Sequence, residues 1–86
     1  MQREPDFFLD AELTLVYLAR RLNESLKVEE LLTANEIDYL VETGTYLGGF
    51  LFRRELIGAY FYVASSGAEG VRQLLVTHGY RPQDGL

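Results

Sequence analysis

Residues 40–63 read LVETGTYLGGFLFRRELIGAYFYV, and this stretch carries the strongest structural signal in the chain. Its two ends are rich in β-branched and aromatic residues, which favour strands. We predict one strand over residues 38–42 and another over residues 59–64. Between them, residues 44–58 hold four of the eight glycines, which indicates turns. Residues 50–54 either extend the hairpin or belong to this connection.

The segment before this stretch predicts a strand followed by a helix. Residues 13–19, LTLVYLA, are β-branched and aromatic, which is typical of a strand. Asn23 is a favourable N-cap for a helix over residues 24–35, where apolar residues recur at helical spacing. A single helix over residues 12–36 would instead carry apolar side chains on all sides, which suits a small protein poorly.

The segment after this stretch predicts a second helix. Ser66 and Glu69 have the spacing of a capping box, in which each side chain bonds the backbone N–H of the other residue. Apolar residues then recur at helical spacing as far as Gly79. Glycine at that position favours a left-handed helix end.

The predicted order of elements is β-α-β-β-α, an α+β fold in which two helices cover one face of a small antiparallel sheet. The ferredoxin-like sandwich is the economical topology for this order, with its fourth strand missing or reduced to the C-terminal tail. We expect a single domain over residues 12–80, with tails at residues 1–11 and 81–86. The predicted core consists of Leu15, Leu31, Leu32, Val41, Phe61, Val63, Val71, Leu74 and Leu75.

The chain resembles a known family in its pattern of apolar residues. The residues that carry the resemblance are 31–41 (LLTANEIDYLV), Tyr62-Val63 and Leu74-Leu75. They resemble the domain-of-unknown-function family of prokaryotic signal-transducing proteins, which is similar in fold to the PII-class nitrogen-regulatory proteins. The resemblance extends from about Leu13 to Tyr80 and implies a ferredoxin-like fold with a regulatory or ligand-sensing role. The 44–58 segment departs from the family pattern, and no phosphate-binding motif of the PII class matches it.

Composition disfavours several classes of function. The formal net charge of −5 argues against nucleic acid, where Lys and Arg must neutralise phosphates, and against an anionic membrane surface. The absence of Cys excludes disulfides and thiolate metal sites. No apolar run approaches the roughly 18 residues of a membrane span, and the N-terminus is not a signal peptide. We therefore expect a cytoplasmic protein that binds no metal and no cofactor.

Two adjacent arginines stand beside aromatic residues in the 44–58 segment. Guanidinium groups next to aromatic rings suit an anionic or planar ligand. Connections of this length on small domains are usually functional. We predict a binding surface formed by Tyr46, Phe52, Arg53 and Arg54, which recognises a protein partner or a small anionic ligand. The alternative is that the arginines are solvated or ion-paired, since neighbouring strand residues point to opposite faces.

Tyrosines cluster in the predicted strands. Tyr60 and Tyr62 share one face of the last strand, whereas Phe61 and Val63 share the other. The helices can cover only one face, and tyrosine suits an interface because its ring is apolar and its tip is polar. We predict that Tyr39, Tyr60 and Tyr62 form the interface of a homo-oligomer, either a dimer or a trimer. The alternative is an open, tyrosine-bearing face on a monomer.

No catalytic constellation is visible in the sequence. His78, the only histidine, lies in the last turn of a predicted helix, where a contact with the helix dipole is favoured over catalysis. Glu42 and Glu55 can act as a carboxylate pair only if the hairpin brings them together. We therefore expect a non-enzymatic regulatory or binding module that self-associates through its sheet. Two alternatives stay open: a small enzyme or enzyme subunit with an inter-subunit site at Glu42, Glu55, Arg53 and Arg54, and a purely structural assembly domain.

Overall fold

A computed structural model describes residues 1–9, 11–48 and 54–82, with residues 54 and 55 described by their backbone alone. Three strands form one open sheet in the order β1-β3-β2, and both pairings are antiparallel. The predicted α+β class with a small antiparallel sheet is therefore confirmed. The elements in chain order are helix α1 (Pro5–Phe8), strand β1 (Leu13–Ala19), helix α2 (Leu22–Ala34), strand β2 (Leu40–Gly48), strand β3 (Arg54–Ala64), a 3₁₀ turn (Ser65–Gly67) and helix α3 (Ala68–Thr77).

The core lies between the sheet and helices α2 and α3. The central strand β3 contributes Phe61 and Val63, which are 0% and 2% exposed. Residues of both helices join them in one apolar cluster, so both helices cover the same face of the sheet. Burying each large apolar side chain there stabilises the fold by about 1.5–3 kcal/mol. The largest fully buried side chains are Phe61, Leu32, Leu75, Val16, Val28 and Val63.

One predicted core residue, Leu15, lies on the opposite face of the sheet. The pairing of β1 with β3 shifts between Leu15 and Tyr17, which is a β-bulge. Tyr17 pairs with Phe61 on the core side, whereas Leu15 pairs with Tyr62. Strict alternation would put Leu15 and Tyr17 on one face, and the bulge reverses that relationship. The inserted residue, Val16, is fully buried.

Strands β2 and β3 form a longer hairpin than the sequence predicts. Nine residue pairs run without a break from Leu40–Tyr62 to Gly48–Arg54. The first strand of the hairpin, β2, therefore continues past Thr43, and the described residues of the 44–58 segment lie in extended strands. Gly44 and Gly58 are directly opposite each other in this hairpin. Neither has a positive φ, so they do not act as turn residues.

Helix α2 begins two residues earlier than predicted, at Leu22. Its N-cap is Arg21, so Asn23 lies inside the first turn, and no side chain caps the helix. The carboxylate of Glu24 instead accepts the backbone N–H of Arg20 at 2.9 Å. This bond ties the end of β1 to the first turn of the helix, which explains why the helix starts before the predicted cap.

Helix α3 lacks the predicted capping box. Its N-cap is Gly67, and no side chain caps it. The 3₁₀ turn places Ser66 inside a helical turn, ahead of the N-cap position, so the pairing predicted for Ser66 and Glu69 is wrong. Gly79 has a φ of +84°, which confirms the predicted left-handed residue after the helix.

The N-terminal residues, for which the sequence predicts a tail, lie against the domain. Gln2 forms a parallel bridge with Tyr39, and the backbone N–H of Arg3 donates to the Tyr39 carbonyl at 2.7 Å. The Arg3 side chain donates to Asp38 at 2.8 Å. Phe8, at the end of α1, is only 8% exposed. These contacts hold the segment alongside the start of β2.

Candidate functional site

The face of the sheet that is turned away from the helices carries mostly apolar and aromatic side chains. Leu15 and Leu40 both pair with Tyr62, and Leu18 pairs with Tyr60, so their side chains share one face. None of these residues belongs to the core cluster. Leu40 is buried, and the other members of the surface are half-buried. We call this surface the outer face, and it consists of Leu15, Leu18, Leu40, Tyr46, Leu56, Tyr60 and Tyr62.

Two glycines hold aromatic rings in place on the outer face. The ring of Tyr60 lies over Gly44, where a Cβ atom would be 3.0 Å from its Cε2 atom. The Tyr60 hydroxyl donates to the carbonyl of Thr45 at 2.8 Å, which fixes the ring across β2. On the opposite strand, a Cβ atom on Gly58 would be 3.1 Å from Cε1 of Tyr46. The glycine pair therefore serves the close approach of two rings.

The outer face carries little charge in its described part. Glu42 is exposed and pairs with Tyr60. Burial, and then the nearby Glu42 carboxylate, raise the pKa of Tyr62 above its ordinary value. The guanidinium of Arg20 lies 5.4 Å from the centroid of the Tyr46 ring, which is a cation–π contact at the edge of the face. The tyrosine hydroxyls thus place polar tips on an apolar surface.

The predicted binding surface falls partly outside the described residues. The structure places Tyr46 on the outer face. Phe52 and Arg53 lie outside the described residues, and Arg54 is described only by its backbone, which pairs with Gly48. The role of the Arg53-Arg54 pair therefore stays a prediction.

The three tyrosines of the predicted interface do not lie together. Tyr60 and Tyr62 share the outer face, whereas Tyr39 is 2% exposed and belongs to the core. Its ring is tilted against that of Phe61, with 5.7 Å between the centroids, and burial raises its pKa. The signal for this position was present in the sequence, since alternation puts Tyr39 on the same face as Val41.

The carboxylate pair considered for catalysis is not assembled by the hairpin. Glu42 pairs with Tyr60, and Glu55 pairs with Leu47. Five positions of β3 separate these two pairs, which is about 16 Å at roughly 3.3 Å per residue. His78 is exposed at the C-cap of α3, the helix-end position that the sequence predicts. Within residues 1–9, 11–48 and 54–82, no group of three or more His, Cys, Asp or Glu side chains could hold a metal ion.

A second concave site lies where β1 ends, α2 begins and α3 ends. This arginine cleft has a volume of about 720 Å³. At its base, the Tyr17 hydroxyl donates to Oε2 of Glu24 at 2.7 Å. Burial, and then this hydrogen bond, raise the pKa of Tyr17 above its ordinary value. The aromatic and charged residues of its lining are Tyr17, Arg20, Arg21, Glu24, Tyr80 and Arg81.

The arginine cleft is not visible in the sequence as a single motif. Arg20 and Arg21 directly follow a predicted strand, and Arg81 follows the Gly79 helix stop, so each signal is visible separately. The structure brings them together because Tyr80 packs edge-on against Tyr17, with 5.7 Å between the ring centroids. That contact holds the segment after α3 beside the end of β1.

No protein-family model, curated protein or solved structure matches this chain. In the part of the chain that the structure describes, no helix has the length and apolar character needed to cross a membrane. The outer face and the arginine cleft are two surfaces, among the described residues, on which a function can be based.

Proposed function

We propose that this protein is a non-enzymatic binding module that forms a homodimer by stacking its outer face on that of a second copy. The observation that carries the proposal is that one face of the sheet carries seven apolar and aromatic side chains outside the core cluster, six of them half-buried. Removing such a surface from water is favourable, and apolar patches of this kind mark interaction sites. Tyrosine adds apolar area and a polar hydroxyl, and that of Tyr60 is already bonded to the Thr45 carbonyl.

The distribution of charge supports a second copy as the occupant. The chain carries a formal charge of −5, so two copies repel each other in most orientations. On the outer side of the sheet, Glu42 is the one carboxylate among the described side chains. Face-to-face stacking therefore brings together surfaces that each carry one described carboxylate. It also uses the same patch on both subunits, as two-fold symmetry requires.

The size of the sheet supports a reversible dimer. Three strands at about 4.8 Å spacing and nine paired hairpin residues at about 3.3 Å each span a face of roughly 14 by 30 Å. Two such faces in contact remove on the order of 1,000 Å² from water, which is near the lower limit for a specific interface. We therefore expect dissociation on dilution.

The order of the strands supports a finer fold proposal. Strands β1 and β2 are both antiparallel to β3, so they run parallel to each other, and α2 connects them. This is the arrangement of the split β-α-β unit of ferredoxin-like domains. We propose that fold without its fourth strand, which leaves β1 as an open edge. The regulatory role implied by the resemblance to prokaryotic signal-transducing domains is part of the same proposal.

Light scattering across a dilution series tests the dimer. We expect the mass to fall from that of a dimer to that of a monomer between about 500 and 5 µM protein, since association follows mass action. Tyr62→Lys places a charge on the outer face and should give a monomer over the whole range. Circular dichroism of the variant checks that the fold is retained.

The matched control is Ile57→Lys, which makes the same kind of change on the same strand. Ile57 is 74% exposed and its register position is on the other face of the hairpin. We expect this variant to dimerise like the parent. A parent that is monomeric at every concentration, or a dimer that is lost in Ile57→Lys and kept in Tyr62→Lys, would contradict the proposal.

A further inference from the structure

We propose that the arginine cleft binds a small organic phosphate, in which a phosphate monoester is joined to a flat apolar group. The site goes beyond dimerisation and does not depend on it. The cleft lies at the end of β1 and shares only Leu18 with the outer face. Charge, shape and the position of a helix end each support the assignment.

The cleft concentrates positive charge that has no carboxylate partner. Arg20, Arg21 and Arg81 line it, and none of them forms an ion pair with a described carboxylate. Glu24 is the one carboxylate of the lining. Its two oxygens are already held, by the Tyr17 hydroxyl at 2.7 Å and the Arg20 N–H at 2.9 Å. In a chain with 13 acidic and 8 basic residues, this grouping of arginines is a local positive patch that attracts an anion.

The balance of charge in the lining favours a dianion. Three guanidinium groups, of which that of Arg20 also lies over the Tyr46 ring, face one carboxylate, so the lining has a net charge of two positive charges. A phosphate monoester carries about −1.5 to −2 near pH 7 and has three strong acceptor oxygens, so it can engage more than one guanidinium group. A carboxylate carries a single charge and would leave part of this positive charge uncompensated.

The cleft has room for more than a phosphate group. Tyr17, Leu18, Tyr80 and Pro82 provide apolar wall area. The edge-on contact between Tyr17 and Tyr80 holds both rings in position. The volume of about 720 Å³ lies within the range of roughly 300–1,000 Å³ that small-molecule sites occupy. A flat apolar group attached to the phosphate would pack against these walls.

The N-terminus of helix α2 adds to the arginine charge. This helix has 13 residues, and no side chain caps its first turn. The unsatisfied N–H groups and the positive end of the helix dipole favour an anion at this position. Arg21, the N-cap, and Glu24, in the first turn, both line the cleft. The start of α2 therefore borders the cleft, where its helix dipole adds positive potential.

Titration of ¹⁵N-labelled protein with phenyl phosphate, followed by NMR, tests the site. We expect saturable shifts of the amides of residues 20–24 and 79–81. Inorganic phosphate, which lacks the ring, and benzoate, which lacks the second charge, should each bind about tenfold more weakly or worse. No saturable shift up to about 10 mM phenyl phosphate would overturn the site. Equal affinity for benzoate would overturn the dianion, and equal affinity for inorganic phosphate would overturn the apolar group.

Charge-removing variants test whether the ligand binds in the cleft. Arg21→Gln and Arg81→Gln change exposed side chains, so folding should be retained, and each should weaken phenyl phosphate by about tenfold. Arg3→Gln removes the same charge outside the cleft and should leave the affinity unchanged. An equal loss in Arg3→Gln would overturn specific binding. Tyr62→Lys should bind phenyl phosphate like the parent. Phosphate binding and dimerisation are therefore tested separately.

Discussion

The hydroxyl of Tyr17, on strand β1, donates a 2.7 Å hydrogen bond to Oε2 of Glu24 in the first turn of helix α2. The bond connects the sheet to the helix that follows it and forms the base of the arginine cleft. Burial, and then this bond, raise the pKa of Tyr17, since a phenolate is poorly solvated in these surroundings and cannot donate to Glu24. The stabilisation that this contact provides is therefore expected to decrease at alkaline pH.

Tyr17→Phe should lower the free energy of unfolding at neutral pH. The ring and its packing are kept, but a hydrogen bond to a charged acceptor is lost, which costs about 1.5–3 kcal/mol in buried sites and less where water has access. We expect a loss of about 1–2 kcal/mol. Urea denaturation at pH 7 measures it. An unchanged midpoint with an unchanged slope would show that water replaces the bond at no cost.

The same variant should have a weaker dependence of stability on alkaline pH. Below about pH 10 the phenol is protonated in both the folded and the unfolded chain, so the full stabilisation is present. Above that pH the unfolded chain loses the proton first, because the folded-state pKa is raised, and the free energy of unfolding falls as pH rises. The pKa values of Tyr39 and Tyr62 are also raised, so the free energy of unfolding of the variant still falls with pH, but less steeply. Identical slopes between about pH 9 and 11 in parent and variant would contradict this account.

Neighbouring positions of helix α3 should differ sharply in their tolerance of alanine. Leu75 is 0% exposed, so Leu75→Ala should lower the free energy of unfolding by about 2–5 kcal/mol through lost burial and a cavity. Val76 is 56% exposed, and Val76→Ala should change the free energy of unfolding by no more than about 0.5 kcal/mol. Chemical denaturation of both variants checks the assignment of faces. Similar losses at the two positions would show that it is wrong.

Alanine should act in opposite directions at two glycines. A Cβ atom on Gly58 would lie 2.7 Å from Leu18 Cδ1 and 3.1 Å from the Ala19 carbonyl oxygen, so Gly58→Ala should cost about 1–3 kcal/mol. Gly70 lies in α3 with nothing within 4 Å of an added Cβ atom. Gly70→Ala should therefore raise stability by about 0.5–1 kcal/mol, since alanine favours helix. Thermal unfolding of the pair measures both signs, and destabilisation by Gly70→Ala would refute the helical assignment.

The two phenylalanines of helix α1 test whether the N-terminal segment belongs to the domain. Phe8 is 8% exposed, and Phe8→Ala should cost about 3 kcal/mol, the low end for this change in a core. Phe7 is 50% exposed and lies 4.4 Å from the Arg3 guanidinium, so Phe7→Ala should cost less than about 1 kcal/mol. Urea denaturation compares them. A negligible effect of Phe8→Ala would mean that residues 1–9 behave as a tail.

Local patterns in the sequence predict much of the fold correctly. The sequence predicts β1 over Leu13–Ala19, which are its observed bounds, because β-branched and aromatic residues favour extended backbone wherever they occur. Alternation along β3 places Phe61 and Val63 in the core, and Tyr60 and Tyr62 on the opposite face. These features depend on the preferences of a few consecutive residues.

The meaning of the glycines required the structure. Glycine in a sequence signals either a turn or a close approach of other atoms, and the residue itself does not distinguish the two. Gly44 and Gly58 are of the second kind, because the register of the hairpin puts them opposite each other under Tyr60 and Tyr46. Strand register depends on pairing between distant segments, so no local pattern contains it.

The amino-acid sequence by itself determined the α+β class, the first strand, the apolar faces of β3 and of the helices, and the absence of any cysteine site. Tertiary structure alone decided the bulge that moves Leu15 to the outer face and the placement of Arg20 and Arg81 in one cleft. The physical reason is that backbone preference and alternation act over a few residues. The grouping of side chains from separate segments is instead set by strand register and by where the end of α3 packs, through contacts between residues far apart in the chain.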